Sequence, residues 1–153
     1  MGYRLKPHMC LIDLVNWKHY PVYEYWEAVY ATDKRFIVDP GAFYILVSRE
    51  AVHIPPNCAA EMAPYLAMVG EFRVHYAGFF DPGFGNAGAG GTGSRGVLEV
   101  RCHEAPFALE HGQSVGRLVY ERMADIPDVL YGADLKSNYQ GQGLKLSKHF
   151  QKP

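Results

Sequence analysis

The stretch that most constrains this 153-residue chain is residues 72–83, Phe-Arg-Val-His-Tyr-Ala-Gly-Phe-Phe-Asp-Pro-Gly. Aromatic and β-branched side chains dominate its first part, and these fit a pleated sheet better than a helix. Asp81-Pro82-Gly83 then stops the run. Pro82 has no N–H to give a ladder, and Gly83 can take the positive φ of a tight turn. Asp81 is thereby fixed in direction and close to the surface. Its carboxylate is open to two readings, a turn-stabilising group or a functional one.

The same punctuation recurs along the chain. Ten Pro and 16 Gly lie among short apolar runs, and amphipathic helices of useful length are nearly absent. This pattern predicts an all-β chain with many turns. Residues 35–38 lead into Asp39-Pro40-Gly41, a turn of the same chemistry. Further strands are expected over 43–48, 51–54, 58–63, 72–80, 97–102, 107–109 and 114–121, with His111-Gly112 as a hairpin turn before the last. Upstream, residues 3–7 read as peripheral and 9–15 as a first strand. Residues 23–30 read as a short helix with Tyr23, Trp26, Ala28 and Tyr30 on its apolar face. Strands spaced this regularly suggest a small sandwich or jelly-roll barrel. Three parts are expected: an N-terminal extension with the helix (1–34), a β domain (35–125), and a Gly-, Gln-, Lys- and Ser-rich tail (126–153).

Composition excludes several classes. With 48% hydrophobic and 20% charged residues the chain is globular, and its length fits one domain with a real core. A formal net charge of -1 gives no general pull toward nucleic-acid polymers or anionic membranes. No apolar run is long enough to span a bilayer and no signal-peptide pattern opens the chain, so a cytoplasmic protein is expected. Cys10, Cys58 and Cys102 are odd in number and far apart, as reduced thiols are.

Few motifs carry chemistry. Residues 83–96 are half glycine and begin as G-x-G-x-x-G through Gly83, Gly85 and Gly88. A dinucleotide site needs that motif to open a helix, and a strand follows here instead. The segment is left as a flexible surface loop or a lid near Asp81. Catalytic zinc is not expected, because there is no C-x-x-C pair and Cys102-His103-Glu104 stands alone. No nucleophile elbow is present either. Paired carboxylates remain, Asp81 and Glu99. Glu99 is flanked by Leu98 and Val100 and points to the opposite face of its strand, toward solvent or into a polar pocket. A carboxyl partly removed from water holds its proton more readily, which suits proton shuttling. Adjacent strands could bring both carboxylates to one cleft.

The order of several segments resembles the dCTP deaminase/dUTPase family. They are Pro40-Gly41…Phe43, Glu50-Ala51-Val52-His53-Ile54-Pro55, Ala77-Gly78-Phe79-Phe80-Asp81-Pro82-Gly83, Val97-Leu98-Glu99-Val100, and Pro106-Phe107-Ala108-Leu109…Gly112-Gln113-Ser114-Val115-Gly116. In the tail, Lys136-Ser137-Asn138-Tyr139-Gln140-Gly141-Gln142-Gly143 is similar to the nucleotide-closing segment of dCTP deaminases. The likeness is greatest to the C-terminal half of the two-domain 2'-deoxycytidine 5'-triphosphate deaminases. It implies a dUTPase-like jelly-roll or β-clip barrel, assembled as a trimer with nucleotide sites between subunits. It further implies hydrolytic deamination of dCTP to dUTP and ammonia, with Mg²⁺ accompanying the triphosphate. Carried over by position, Glu99 activates water and passes its proton to the departing amine. Asp81 and Ala77 line the deoxynucleoside pocket. Tyr131, Lys136 and Gln140 belong to the tail that covers the triphosphate.

The departures from the family are as informative. Single-domain members carry a Gly-Arg-Ser-Ser stretch and a further Arg, whereas residues 60–68 here hold neither Arg nor Ser. Pro64 stands in place of the key Ser and Met68 in place of the second Arg, and Glu61 would repel a triphosphate. The chain is therefore expected to be one half of a split site. A companion domain, N-terminal in an intact protein in which Met1 is a truncated start, would supply the Ser/Arg wall. Two alternatives stay open. One is a dUTP pyrophosphatase in which Asp81 orients water toward the α-phosphate; the other is a non-catalytic domain that supports assembly or binds a regulatory nucleotide.

Overall fold

A computed structural model of the chain describes residues 1–64, 72–76, 79–132, 141 and 143–152. Nine strands and one single-turn helix are found among them, so the all-β expectation holds. They are β1 Gly2–Leu5, α1 Val22–Tyr25, β2 Trp26–Val29, β3 Arg35–Val38, β4 Phe43–Val52, β5 Cys58–Pro64, β6 Phe72–Tyr76, β7 Ser94–Cys102, β8 Phe107–Glu110 and β9 Gly116–Arg122. Five strands form one antiparallel sheet in the order β2-β1-β4-β7-β6, while β3 pairs with β8 and β5 with β9 in separate ladders.

Strand side chains alternate, so the large sheet carries an apolar cluster on each face, while β6 and β7 leave Arg73, His75 and Arg101 exposed on one of them. Tyr44, Val74, Leu98 and Val100 point to one face and pack with Val38 of β3, Met62 of β5 and Leu109 of β8. Tyr3, Trp26 and Ile45 point to the other, under Tyr25 and Phe150. Between the first face and the two ladders lies a cavity of about 460 Å³, lined by Leu46, Leu98, Val100, Leu109 and Leu118 among others. Among the described residues, no helix is long and apolar enough to cross a membrane.

The N-terminal segment departs most from expectation. The helix expected over 23–30 is only α1, and Trp26–Val29 becomes a strand whose Trp26 pairs with Leu5 and whose Val29 pairs with Gly2. Tyr, Trp and Val are mediocre helix formers, so a partner strand easily overrides the helical pattern. That partner is β1, which overlaps the segment 3–7 expected to be peripheral, and it sits between β2 and β4. Residues 9–15 carry no strand. There the Asp13 carboxylate accepts from the Val15 amide at 3.0 Å and from Asn16 Nδ2 at 3.0 Å, local bonds that compete with a ladder.

Three further differences matter for the site. The strands expected over 43–48 and 51–54 are one strand, β4, with an irregularity between Val47 and Ala51. Ser48 holds that irregularity: its hydroxyl donates to the Glu50 carbonyl at 2.7 Å and accepts from the Gly96 amide at 2.9 Å. His111-Gly112 does turn the chain, with Gly112 at φ +84, but it passes the chain from the β3 ladder to the β5 ladder and closes no hairpin. Strand β6 ends at Tyr76, and Phe80 pairs separately with Ala60.

Candidate functional site

The Asp81-Pro82-Gly83 turn is fastened from three directions. Before it, Phe80 exchanges both backbone hydrogen bonds with Ala60, at 2.8 and 2.9 Å. Within it, the Phe84 amide donates to the Asp81 carbonyl at 3.0 Å, and the Gly83 amide donates to the Ile54 carbonyl at 3.2 Å. From the tail, the Tyr131 amide donates to the Pro82 carbonyl at 2.9 Å, and its ring packs against Phe84 with centroids 5.5 Å apart. Ile54, Ala60, Phe80 and Phe84 form a buried apolar cluster beneath the turn. The Asp81 side chain is exposed, and no partner for it occurs among the described residues.

The glycine-rich stretch, left open between a flexible surface loop and a lid, is a packed element with a turn of its own. Its Phe84, Gly85, Ala89, Gly91 and Ser94 are buried. Asn86 caps a 3-10 turn over Ala87–Ala89, its side-chain oxygen accepting from the Gly88 amide at 2.8 Å. Gly85 has φ +67, and a Cβ there would lie 2.3 Å from the Val52 carbonyl, so only glycine lets the backbones meet. Ser94, at 1% exposure, accepts from the Gly141 amide at 2.7 Å. The tail thus meets this element at two described points, Tyr131 and Gly141. Nothing in the sequence singles out Ser94, because its role depends on a contact 47 residues away.

Glu99 lies elsewhere. It sits on β7 between Ile45 of β4 and His75 of β6, on the face shared with Val97 and Arg101. The sequence pattern gave this orientation correctly. Glu99 is half-buried, at the margin where the apolar cluster of Ile45 and Val97 gives way to exposed polar side chains. It has no hydrogen-bond or ion-pair partner among the described residues. Neither Glu99 nor Asp81 lines the large cavity, which opens on the opposite face of β7.

Of the residues expected to form the site, Asp81 and Tyr131 come together and Glu99 stands apart. Ala77, Lys136 and Gln140 lie outside the described residues, as do positions 65–68 of the divergent stretch. Glu61 is exposed on β5. Among the described residues, no group of three His, Cys, Asp or Glu side chains could hold a metal ion. Sequence reading also missed a basic pair: Arg101 faces Arg73 across β7 and β6, next to the Glu99–His75 pair.

Residues 1–150 match the family described as 2'-deoxycytidine 5'-triphosphate deaminase (DCD), C-terminal domain. A crystal structure of 2'-deoxycytidine 5'-triphosphate deaminase from Agrobacterium tumefaciens is similar with a TM-score of 0.74 and 58% identity, covering 84% of this chain and 38% of that one. Among curated relatives, "dCTP deaminase, dUMP-forming" of Methanosphaera stadtmanae is 34% identical over 122 residues, 76% of this chain and 57% of the relative. The "dCTP deaminase" of Natronomonas pharaonis is 30% identical over 126 residues, 78% of this chain and 59% of the relative. The chain thus spans a little over half the length of these curated relatives.

Proposed function

The chain belongs to the family of C-terminal domains of 2'-deoxycytidine 5'-triphosphate deaminases, and from that premise we propose that it is one half of an enzyme that hydrolyses dCTP to dUTP and ammonia. The observation that carries this reading is the family match, which runs over residues 1–150 and so takes in both Asp81 and Glu99. In the reaction, Glu99 takes a proton from water as its oxygen attacks C4 of the cytosine ring. The same proton is returned to the exocyclic nitrogen, the C–N bond breaks and ammonia leaves, and the remaining hydroxyl proton passes to ring N3 as the C4 carbonyl forms. A half-buried carboxylate with no described partner is free for that exchange. Asp81 and Ala77 flank the deoxynucleoside, and Tyr131, Lys136 and Gln140 lie along the tail beside the triphosphate. Mg²⁺ enters with the nucleotide, whose phosphate oxygens supply its ligands. A cytoplasmic nucleotide pool goes with this reading.

The missing Ser and Arg in residues 60–68 support a split site completed by a companion dUTPase-like half, because further copies of this chain in a trimer lack the same residues. The separation of Asp81 from Glu99 supports it too, since each carboxylate then faces a wall contributed from outside this chain. The test is ammonia and dUTP release from dCTP by this chain alone and mixed with the companion half. The reading expects turnover only in the mixture. Full activity of the isolated chain would overturn the split site, and no ammonia from either would favour the non-catalytic alternative.

A second reading has one specific support: several relatives are named as dUMP-forming. In that case dUTP is carried on to dUMP with release of pyrophosphate, and Asp81 directs water at the α-phosphate. Product analysis for pyrophosphate distinguishes the two.

A further inference from the structure

The pairing of β6 with β7 places two arginines directly opposite each other, Arg73 and Arg101, both exposed. Paired residues on adjacent antiparallel strands have Cα atoms roughly 4.5–5.5 Å apart. Like charges at that spacing destabilise a sheet, so a sequence that keeps them breaks a local rule. No carboxylate pairs with either guanidinium among the described residues. Arg101 is nonetheless held in place: its guanidinium lies over the Phe43 ring, 4.6 Å from the centroid. Arg73 stands on β6, the last strand in the sheet order among the described residues. The two cations therefore form a seat prepared for an anion.

What the anion is follows from the neighbours. Glu99 is two residues from Arg101 on the same strand face, about 7 Å along β7. Phosphates bound at the arginines would lie beside that carboxylate on the same strand face. Guanidinium groups offer planar, paired donors that match phosphate oxygens, and two of them offset a charge that one cannot. We propose that Arg73 and Arg101 bind the polyphosphate of the nucleotide, supplying from this chain some of the positive charge that residues 60–68 lack. The choice of nucleotide rests on the deaminase reading; the anion seat itself does not.

Inorganic tripolyphosphate is the direct probe, titrated calorimetrically into this chain. Wild-type chain is expected to bind it, more weakly as salt rises. Arg73→Ala with Arg101→Ala should weaken binding by roughly tenfold or more, and Arg→Lys at both positions should restore part of it. Deoxycytidine without phosphates should not respond to these changes. Thermal midpoints control for folding, and if the double variant unfolds, Arg73→Gln alone, on the last strand of the sheet order, carries the same comparison. Equal tripolyphosphate binding by wild type and variants, or none by wild type, overturns the inference. A variant that alters only the sedimentation coefficient also overturns it, since the arginines would then belong to a subunit contact. Failure of the deaminase reading is told apart by ammonia release. Arginine-dependent phosphate binding with no ammonia from the mixed halves keeps the seat and removes the reaction. Ammonia release with an unchanged KM for dCTP in the double variant does the reverse.

Discussion

The tripeptide Asp-Pro-Gly occurs twice in this chain, and the two copies have opposite surroundings. At residues 39–41 the carboxylate is tied down: Asp39 Oδ2 accepts from the Tyr44 hydroxyl at 3.3 Å and meets Arg4 Nη1 at 3.2 Å. The Tyr44 oxygen in turn accepts from the Asp39 amide at 3.1 Å. Its glycine has room: its amide donates to the Cys102 carbonyl at 3.1 Å, and beyond its chain neighbours no atom of the described residues lies within 4 Å of the place a Cβ would take. At residues 81–83 the reverse holds. Asp81 is exposed without a described partner, while Gly83 is packed so closely that a Cβ would lie 3.1 Å from Leu130, 3.2 Å from Ala89 and 3.2 Å from the Tyr131 amide. Identical turn chemistry therefore serves two ends. The first turn uses its carboxylate for stability, and the second uses its glycine for stability and leaves the carboxylate available.

Substitutions at matched positions can break that contrast. Gly83→Ala should be the most damaging, because it combines φ +94 with a crowded site; a loss of roughly 2–4 kcal/mol is expected in urea denaturation. Gly41→Ala meets only the conformational cost of φ +70, about 1 kcal/mol in the same assay. Asp39→Ala should cost a similar amount, about 1 kcal/mol, since the ion pair is half exposed and the hydrogen bonds are few. Equal losses at Gly41 and Gly83 would mean that the packing difference does not matter energetically.

Smaller effects sharpen the same comparison. Burial raises the phenol of Tyr44 above its ordinary value, with Arg4 and the Asp39 amide opposing and the Asp39 carboxylate reinforcing the shift. Above a pH of about 10 the unfolded chain loses this proton while the folded chain keeps it. The stability is fully present below that pH and falls as pH rises, and Tyr44→Phe should flatten part of the fall in an alkaline melting series. Asp81→Asn should leave the melting midpoint unmoved at neutral pH and lower turnover of the completed enzyme. A shifted midpoint with unchanged turnover would return Asp81 to the turn-stabilising reading.

What could be read from the sequence was mostly local. Strand β3 was expected with its observed bounds because Phe-Ile-Val stands between polar residues and Asp-Pro-Gly. Both turns were expected with positive φ at glycine, and Gly41 and Gly83 have it. The face of Glu99 followed from strand alternation alone. Pairing partners were not legible, because they depend on where distant strands lie. Residues 26–29 look helical until β1 is available to pair with them. His111-Gly112 reads as a hairpin until β8 is seen to pair with β3. The Arg73–Arg101 pair is a product of register and has no signal in either strand by itself. The same holds for the gap between the carboxylates: Asp81 follows the Phe80–Ala60 bridge, whereas Glu99 belongs to the β4-β7-β6 ladder. Two strands adjacent in a sheet do not bring together residues that lie at different points along them.

On the proposed reading, Glu99 handles the proton at a site this chain only half provides. Ammonia release from dCTP tests it, measured for the mixed halves with wild-type chain and with Glu99→Gln. Turnover is expected in the first mixture and a loss of roughly 10²–10⁴-fold in the second, with nucleotide binding retained. Turnover by the Glu99→Gln mixture at the wild-type rate would contradict it.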